Sequence, residues 1–318
     1  MNKFKKIGVS ALAGSLMAVS ANALEMSVSG GASITFADYG GDVTNNAFSS
    51  GDGLTFSASG ETDGGLTITS SLVLDNGVND DQSVSIATAD MGTITFHAKD
   101  GSSALGAVDD VMPTAYEEPW FGVTSPTKVD GKAGADMFQY TSPSIGGATV
   151  TATYNQADGA TAAGSMVSSQ TAFAIAMTPE MLDGLTIGYA TQEDDSTGVT
   201  TTTVDDTTMY ATYVYGSITV GLQESEGDSN TDASDIESLG MAVSYAVSDD
   251  ISISYGEHTV EWPNDSTKND QESSALSASY TSGGMTVSAS AGTVNNLNGS
   301  TATANDLDTY EISMSFAF

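Results

Sequence analysis

Apolar and polar residues alternate along most of this chain, and this two-residue period restricts the fold more than any other feature of the sequence. In the first such segment Met26, Val28, Ile34 and Phe36 are interleaved with serine, threonine and glycine. Successive side chains of a β-strand point to opposite faces of the sheet, so this segment has one apolar and one hydroxyl-rich face. Sixteen segments of this kind follow one another as far as Phe318, which predicts an all-β fold.

The connections between these segments alternate in length. Seven are short, and eight are long and rich in Asp, Asn, Gly, Ser and Thr. Sixteen strands joined in this way have all their long loops at one end, which is typical of outer-membrane barrels. A soluble β-sandwich or an exported acidic adhesin would also alternate, but neither explains why the long loops share one end. The long connections are predicted at 38–52, 75–81, 99–136, 155–170, 191–206, 223–237, 256–272 and 292–307.

The first 23 residues have the pattern of a secretory signal peptide. Three lysines among the first six residues precede an apolar run at 7–19, and the segment ends in Ala21-Asn22-Ala23. A charged start, an apolar stretch too short to span a bilayer and small residues at the cleavage site are the marks of export. We expect residues 1–23 to be removed and residues 24–318 to form the mature barrel.

No later stretch reaches the length of about 20 consecutive apolar residues that a membrane-spanning helix needs. In lipid, only helices and closed barrels satisfy all backbone N–H and C=O groups internally. A mature chain that crosses a membrane must therefore do so as a closed, antiparallel β-barrel.

The charge balance excludes several classes of function. The chain has 41 acidic residues against seven basic ones, and none of the basic residues is arginine. Binding to nucleic acid depends on clustered lysine and arginine, so no nucleic-acid partner is expected. The hydrophobic content of 39% exceeds that of a disordered acidic segment, and the chain is therefore expected to fold.

Catalysis is not expected either. The chain has no cysteine, and its two histidines, His97 and His258, are far apart and lack a neighbouring Gly-x-Ser-x-Gly turn. Acidic clusters at 193–195, 205–206 and 228–235 offer oxygen ligands without the spacing of an EF-hand. We expect no cofactor. Ca²⁺ bridging neighbouring acidic loops is the alternative to loop carboxylates that are simply solvated.

Three segments resemble a known family. Residues 310–318 alternate and end on Phe318, like the C-terminal strand that the barrel-insertion machinery of Gram-negative bacteria reads. Residues 140–147 and 89–96 look like turn-and-strand signatures of Gram-negative general porins, especially the alphaproteobacterial kind. The resemblance implies a transmembrane barrel of 16 strands that is surrounded by outer-membrane lipids and assembled as a homotrimer. It also implies passive diffusion of small hydrophilic solutes and ions.

In this family the third external loop folds into the lumen and narrows it, which the resemblance assigns here to residues 99–136. This segment is the longest connection in the chain, and so long a loop without a role would be unusual. Family members place carboxylates on this loop opposite arginines and lysines on the wall. The constriction residues expected here are Asp109, Asp110, Glu117, Glu118 and Trp120 on the loop, with His97 and Lys99 on the wall.

The sequence departs from the family pattern because it has no arginine for the wall. Because side chains alternate between the two faces of a strand, His97 and Lys99 lie on the same face as Thr95. The loop itself has seven carboxylates against three lysines. We therefore expect a mainly negative field that concentrates cations and repels anions. A substrate-selective channel is the alternative, in which Trp120 stacks on a ring-shaped solute instead of packing the loop against the wall.

Overall fold

The computed structural model describes residues 25–40, 48–123, 129, 131, 133–156, 169–195, 204–229, 232–300, 302 and 306–318, so the predicted signal peptide, residues 1–23, lies outside the described part. The strands are β1 (Glu25–Asp38), β2 (Phe48–Glu61), β3 (Thr67–Asp75), β4 (Val78–Thr88), β5 (Gly92–Lys99), β6 (Gly101–Ser102), β7 (Ala133–Gly134), β8 (Met137–Thr141), β9 (Ala148–Asn155), β10 (Ser169–Met177), β11 (Leu185–Asp195), β12 (Val204–Tyr215), β13 (Ile218–Ser229), β14 (Ile236–Ala246), β15 (Ile251–Glu261), β16 (Gln271–Ser282), β17 (Met285–Asn295) and β18 (Leu307–Ala317). No helix within the described ranges is long and apolar enough to cross a membrane.

Sixteen of these strands form one closed antiparallel barrel, and only β6 and β7 stand apart as a separate pair. Each barrel strand pairs with its neighbour along the chain, except that β5 pairs with β8 and β18 returns to β1. Gly30 N donates to Phe318 O and Phe318 N donates to Gly30 O, both at 2.9 Å. The last residue of the chain thus takes part in closing the barrel, and the predicted sixteen-stranded all-β barrel is confirmed.

The alternation in the sequence becomes two faces of the wall. Val28, Phe56 and Leu72 form one row across β1, β2 and β3, and the adjacent row on the other face is Ser27, Ser57 and Ser71. The apolar side chains face outward, where many are about half exposed, such as Ile34 at 52% and Ile312 at 54%. The hydroxyl-rich face lines the interior.

The outer face changes character toward the long-loop ends of β13, β14 and β15. Glu226 lies directly opposite Glu237, and Glu237 lies directly opposite Glu261. These strands therefore continue past their apolar part into polar residues, because backbone pairing does not depend on the chemistry of the side chains. For this reason several loops are shorter than predicted: β13 runs to Ser229, inside the segment 223–237 that was expected to be a loop.

The long connection predicted at 75–81 is wrong. Strand β3 ends at Asp75 and β4 begins at Val78, which leaves a two-residue turn of Asn76 and Gly77. Both turn residues have positive φ, 46° and 76°. Asn-Gly is the pair that favours this tight hairpin geometry, because its twist matches that of the flanking strands. The polar residues that follow belong to β4 and not to a loop.

Candidate functional site

The segment between β5 and β8 enters the interior of the barrel through a narrow neck. Gly101 pairs with Gly134 in the short β6–β7 ladder. A Cβ on Gly131 would collide with the backbone N of Gly106, so the two halves of the segment approach more closely than any other residue allows. Asp109 adds a tie across this neck, since its Oδ2 accepts a hydrogen bond from Gly131 N at 2.8 Å.

Beyond the neck, the segment packs against small side chains of the wall. Leu105 is fully buried and clusters with Ala172, Ala174 and Ala190 of β10 and β11. Ala104 N donates to Thr153 Oγ1 at 3.0 Å. Alanine at these inward positions leaves the volume that the leucine side chain fills, so a small apolar cluster forms where the segment meets the wall.

The middle of the segment is held by a glutamine and a serine of the wall. Gln223 of β13 accepts from Val111 N at 3.0 Å and donates to Val108 O at 2.8 Å. Ser254 of β15 accepts from Ala115 N at 2.8 Å. Both partners use inward side chains to satisfy backbone groups of a segment without regular structure, as buried backbone requires.

The far end of the segment reaches β16, β17 and β18. Ser277 Oγ donates to Glu117 O at 2.9 Å, and Glu117 N donates to Ser290 Oγ at 3.3 Å. Tyr116 OH donates to one carboxylate oxygen of Glu311, and Tyr39 OH donates to the other. The segment thus follows one side of the barrel from β9 to β18, and the inner faces of β2 to β5 lie on the other side.

Trp120 lies at this end with its ring against His258 of β15. The ring centroids are 4.3 Å apart and the planes are tilted by 54°. His258 is 5% exposed. Of the two roles considered for Trp120, packing of the loop against the wall matches this placement.

The carboxyl groups of the segment are spread along it. Asp109 lies at the neck and the partly buried Asp110 follows it, whereas Glu117 and Glu118 lie at the far end beside β17 and β18. Burial, the largest cause, and the neighbouring carboxylates of Glu311 and Glu118 together raise the pKa of Glu117 to about 7. Burial and the hydrogen bond to Glu311 likewise raise the pKa of Tyr39 and of Tyr116.

The two wall residues expected at the site lie at the root of the segment and not beside its far end. His97 Nε2 pairs with Gln139 Oε1 at 3.2 Å. The ammonium group of Lys99 donates to the backbone O of Asn79. The structure therefore leaves His97 and Lys99 on β5, whereas the main chain of Glu117, with Glu118 next to it, is held by β16 and β17 at the far end of the segment.

Sequence reasoning missed Tyr39, Gln223 and Glu311 as partners of the segment. Glu311 occupies an inward position of β18, between a threonine and a serine at the adjacent inward positions. A charged residue at a hydroxyl position of a regular strand is a signal that could have identified it. No such signal marks Tyr39, which follows the end of β1.

The inner wall of β1 to β5 is formed mostly of hydroxyl groups. Cross-strand pairs are within hydrogen-bond distance, such as Ser59 and Thr69 at 3.2 Å and Ser85 and Thr95 at 2.9 Å. On β1 the pattern continues into β18, with Thr35 and Ser313 at 3.0 Å. The inward positions carrying hydroxyl groups are Ser27, Ser29, Ser33, Thr35, Ser49, Thr55, Ser57, Ser59, Thr67, Thr69, Ser71, Ser83, Ser85, Thr93 and Thr95.

A family model described as Gram-negative porin matches residues 8–299 of the chain. No curated protein matches it. Among solved structures, a porin refined at 1.8 Å resolution is similar with a TM-score of 0.69 and 19% identity, over 92% of this chain and 100% of that one.

Two further structures cover nearly the whole chain at lower identity. An anion-selective porin from Comamonas acidovorans has a TM-score of 0.68 and 14% identity, over 93% of this chain and 100% of that one. OmpF of Salmonella typhi, in complex with daunomycin, has a TM-score of 0.70 and 13% identity, over 94% of this chain and 99% of that one.

Proposed function

The chain belongs to the family of Gram-negative porins, and on that premise we propose that it conducts small hydrophilic solutes and ions across the outer membrane by passive diffusion, with cations preferred. The family is one of channels, which fits the expectation that the protein is not an enzyme. Membership also argues against the adhesin that the alternation alone left open.

The observation that carries the proposal is the path of residues 103–121 inside the barrel. Contacts with Thr153, Gln223, Ser254 and Glu311 hold this segment along the arc from β9 to β18. What remains of the lumen lies between the segment and the hydroxyl wall of β1 to β5. A passage bounded by hydroxyl groups and carboxylates suits hydrated solutes.

Cation preference is supported by the distribution of charge around this passage. The far end of the segment brings Glu117 near Glu311, and Glu118 follows Glu117 in the chain. The wall has no arginine, and the ammonium group of Lys99 is engaged with Asn79 O. Negative groups in a narrow cleft with low-dielectric walls raise the local concentration of cations. A similar fold is found in a porin described as anion-selective, so the residues and not the fold decide the sign.

The alternative of a substrate-selective channel depended on Trp120 as a stacking surface for a solute. The contact of this ring with His258 favours the packing role and hence a general porin. Saturable block of the current by one particular solute would support the alternative.

The test is a planar-bilayer recording of the purified protein in a KCl gradient at low salt, where screening is weak. We expect an ohmic conductance that rises with salt without saturating, and a zero-current potential of the sign set by permeant K⁺. A potential of the opposite sign would overturn the cation preference while leaving the porin function in place.

Export and assembly complete the proposal. The mature chain is expected to begin at Leu24 after removal of residues 1–23, which N-terminal sequencing of the outer-membrane protein tests.

The strand ending at Phe318 is the expected contact of the insertion machinery. A homotrimer would appear as an SDS-resistant oligomer that dissociates on heating. Ca²⁺ bridging of the acidic external loops would raise the temperature of that dissociation, and a chelator would lower it.

A further inference from the structure

A carboxyl group stands on the inner face of the barrel at the tip of the β3–β4 hairpin. Asp75, the last residue of β3, pairs with Gly53 of β2. Side chains alternate along β2, so Gly53 is on the inner face with Thr55, and Asp75 opposite Gly53 points into the barrel as well. Asp75 is exposed to solvent. The two-residue turn that follows it thus places a charge on a wall lined mostly by hydroxyl groups.

The tip of this hairpin lies along the wall and not at the external rim. Strand β3 ends opposite Gly53, whereas β2 continues through residues 48–52 toward its long-loop end. The tip is bound to β2, since Asn76 N donates to Asp52 O at 2.9 Å. Backbone pairing with β2 on one side and with Val78 of β4 on the other therefore holds Asp75 at a fixed depth in the lumen.

The inner face beside Asp75 carries only small residues. Along the row that runs across the strands, Asp75 is followed by Gly53 of β2, Gly31 of β1 and Ala317 of β18. These three residues have at most a methyl group, so they leave the carboxylate uncovered on this side. A cavity of about 920 Å³ extends over the row, and its lining includes Asp75 and the hydroxyl residue Ser315. The carboxylate therefore faces open space in the lumen.

The position of a charge decides how strongly it acts on a passing ion. The screening length is about 8 Å at physiological ionic strength, so charges on the external loops or on the outer face act weakly on an ion in the lumen. The constriction loop is held by Thr153 of β9 and, at its far end, by Glu311 of β18. The remaining passage lies between the loop and the wall of β1 to β5, and Asp75 stands on that wall.

We propose that Asp75 is a specificity-determining residue of the pore, which attracts cations to the side of the lumen opposite the constriction loop. A fixed negative charge in a cleft with low-dielectric walls raises the local concentration of cations. This inference rests on the proposed porin function, since it assigns part of the cation preference to one residue of the wall.

The test compares K⁺/Cl⁻ permeability ratios, from zero-current potentials in a low-salt KCl gradient, for the full-length mature protein and its variants. Asp75→Asn removes the charge and keeps the size of the side chain, and it is expected to lower the ratio by about two- to fivefold. The matched control is Asp52→Asn, which removes a charge next to Gly53 but on the outer face, opposite Ala32. It should leave the ratio unchanged.

Because the sequence has no cysteine, a single introduced thiol allows a second test that is independent of Asp75→Asn. Asp75→Cys, inserted into the bilayer, is treated with a cationic or an anionic methanethiosulfonate of similar size. The cationic reagent should lower the ratio below that of the unmodified variant, and the anionic reagent should raise it toward the wild-type value. Neither reagent should change the ratio of Asp52→Cys.

Heat-modifiable mobility on SDS gels shows which variants form an intact barrel, and if Asp75→Asn does not, Asp75→Cys decides the matter. The inference is overturned if a folded Asp75→Asn keeps the wild-type ratio, if Asp52→Asn lowers the ratio equally, or if the two reagents act alike on Asp75→Cys. A wild-type protein that conducts no ions at all would instead contradict the proposed function. The two failures are therefore distinguishable in one set of recordings.

Discussion

Small inward residues of the wall determine where the loop can lie. A Cβ at Gly221 or Gly256 would crowd Pro113 or Pro119, and Ala172 leaves room for Leu105. Glycine in a strand interior weakens the strand and often marks the close approach of another part of the chain. Here that part is the loop. Its docking therefore depends on volume and on single hydroxyl and amide partners, and at its far end also on the carboxyl group of Glu311.

The closest approach, at the neck, predicts a change in conductance. Gly131→Ala forces a Cβ against the backbone of Gly106 and should separate the two halves of the loop. Overpacking of this kind typically costs about 1–3 kcal/mol. We expect a smaller single-channel conductance, because the loop is held less firmly against the wall and can move into the remaining passage.

The control for this change is Gly64→Ala, in an exposed turn where the new Cβ would lie 3.8 Å from Thr62 Oγ1. It should leave the conductance at the wild-type value. An unchanged conductance in Gly131→Ala would show that the neck does not hold the loop in place.

The carboxyl of Glu117 also predicts a pH dependence of stability. Its folded-state pKa of about 7 lies above its ordinary value of 4.5, so between these values the folded protein binds more protons than the unfolded chain. The stabilisation is fully present below about pH 4.5 and is lost as the pH rises through about 7. Urea unfolding in detergent at pH 5 and pH 8 should show a smaller difference for Glu117→Gln than for wild type. An equal difference in both proteins would contradict the raised pKa.

At the scale of strands, the sequence predicted the sixteen barrel strands because alternation is a local property of each one. It mispredicted their ends, since strand pairing continues through polar residues such as those after Val78, and a two-residue Asn76-Gly77 turn replaced a loop. The path of the loop could not be predicted, because it depends on contacts such as Tyr116 with Glu311, 195 residues away. Spacing along the chain has no bearing on such a contact.

The acidic row on the outer face of β13 to β15 predicts a stabilising substitution. Glu237 lies between Glu226 and Glu261, and like charges directly opposite each other destabilise a strand pair by about 0.2–1 kcal/mol. Glu237→Gln should therefore raise the unfolding midpoint, more at low salt than at high salt. Glu180→Gln, in a short turn, should not change it. A lower midpoint for Glu237→Gln would indicate that this row has a counter-charge.

At the scale of the whole molecule, the lumen has two unlike sides. Ser57 stands in the middle of the hydroxyl side, paired with Ser27 and Ser71 on the inner face. We expect Ser57→Arg to lower the K⁺/Cl⁻ permeability ratio by about two- to fivefold, because no neighbouring carboxylate on that row neutralises the new charge. Ser57→Gln, a neutral and polar substitution, should leave the ratio unchanged. Equal ratios in the two variants would place the ion path away from this wall.

The hydroxyl wall also bears on how an ion travels past it. Serine and threonine hydroxyls both donate and accept hydrogen bonds, as water molecules do, so an ion beside them can keep its hydration shell. A filter of fixed carbonyl groups works differently, since it replaces that shell. We therefore expect transport to resemble diffusion in a confined electrolyte more than stepwise exchange of water for protein ligands. Its activation energy should then be close to that of ionic mobility in free solution.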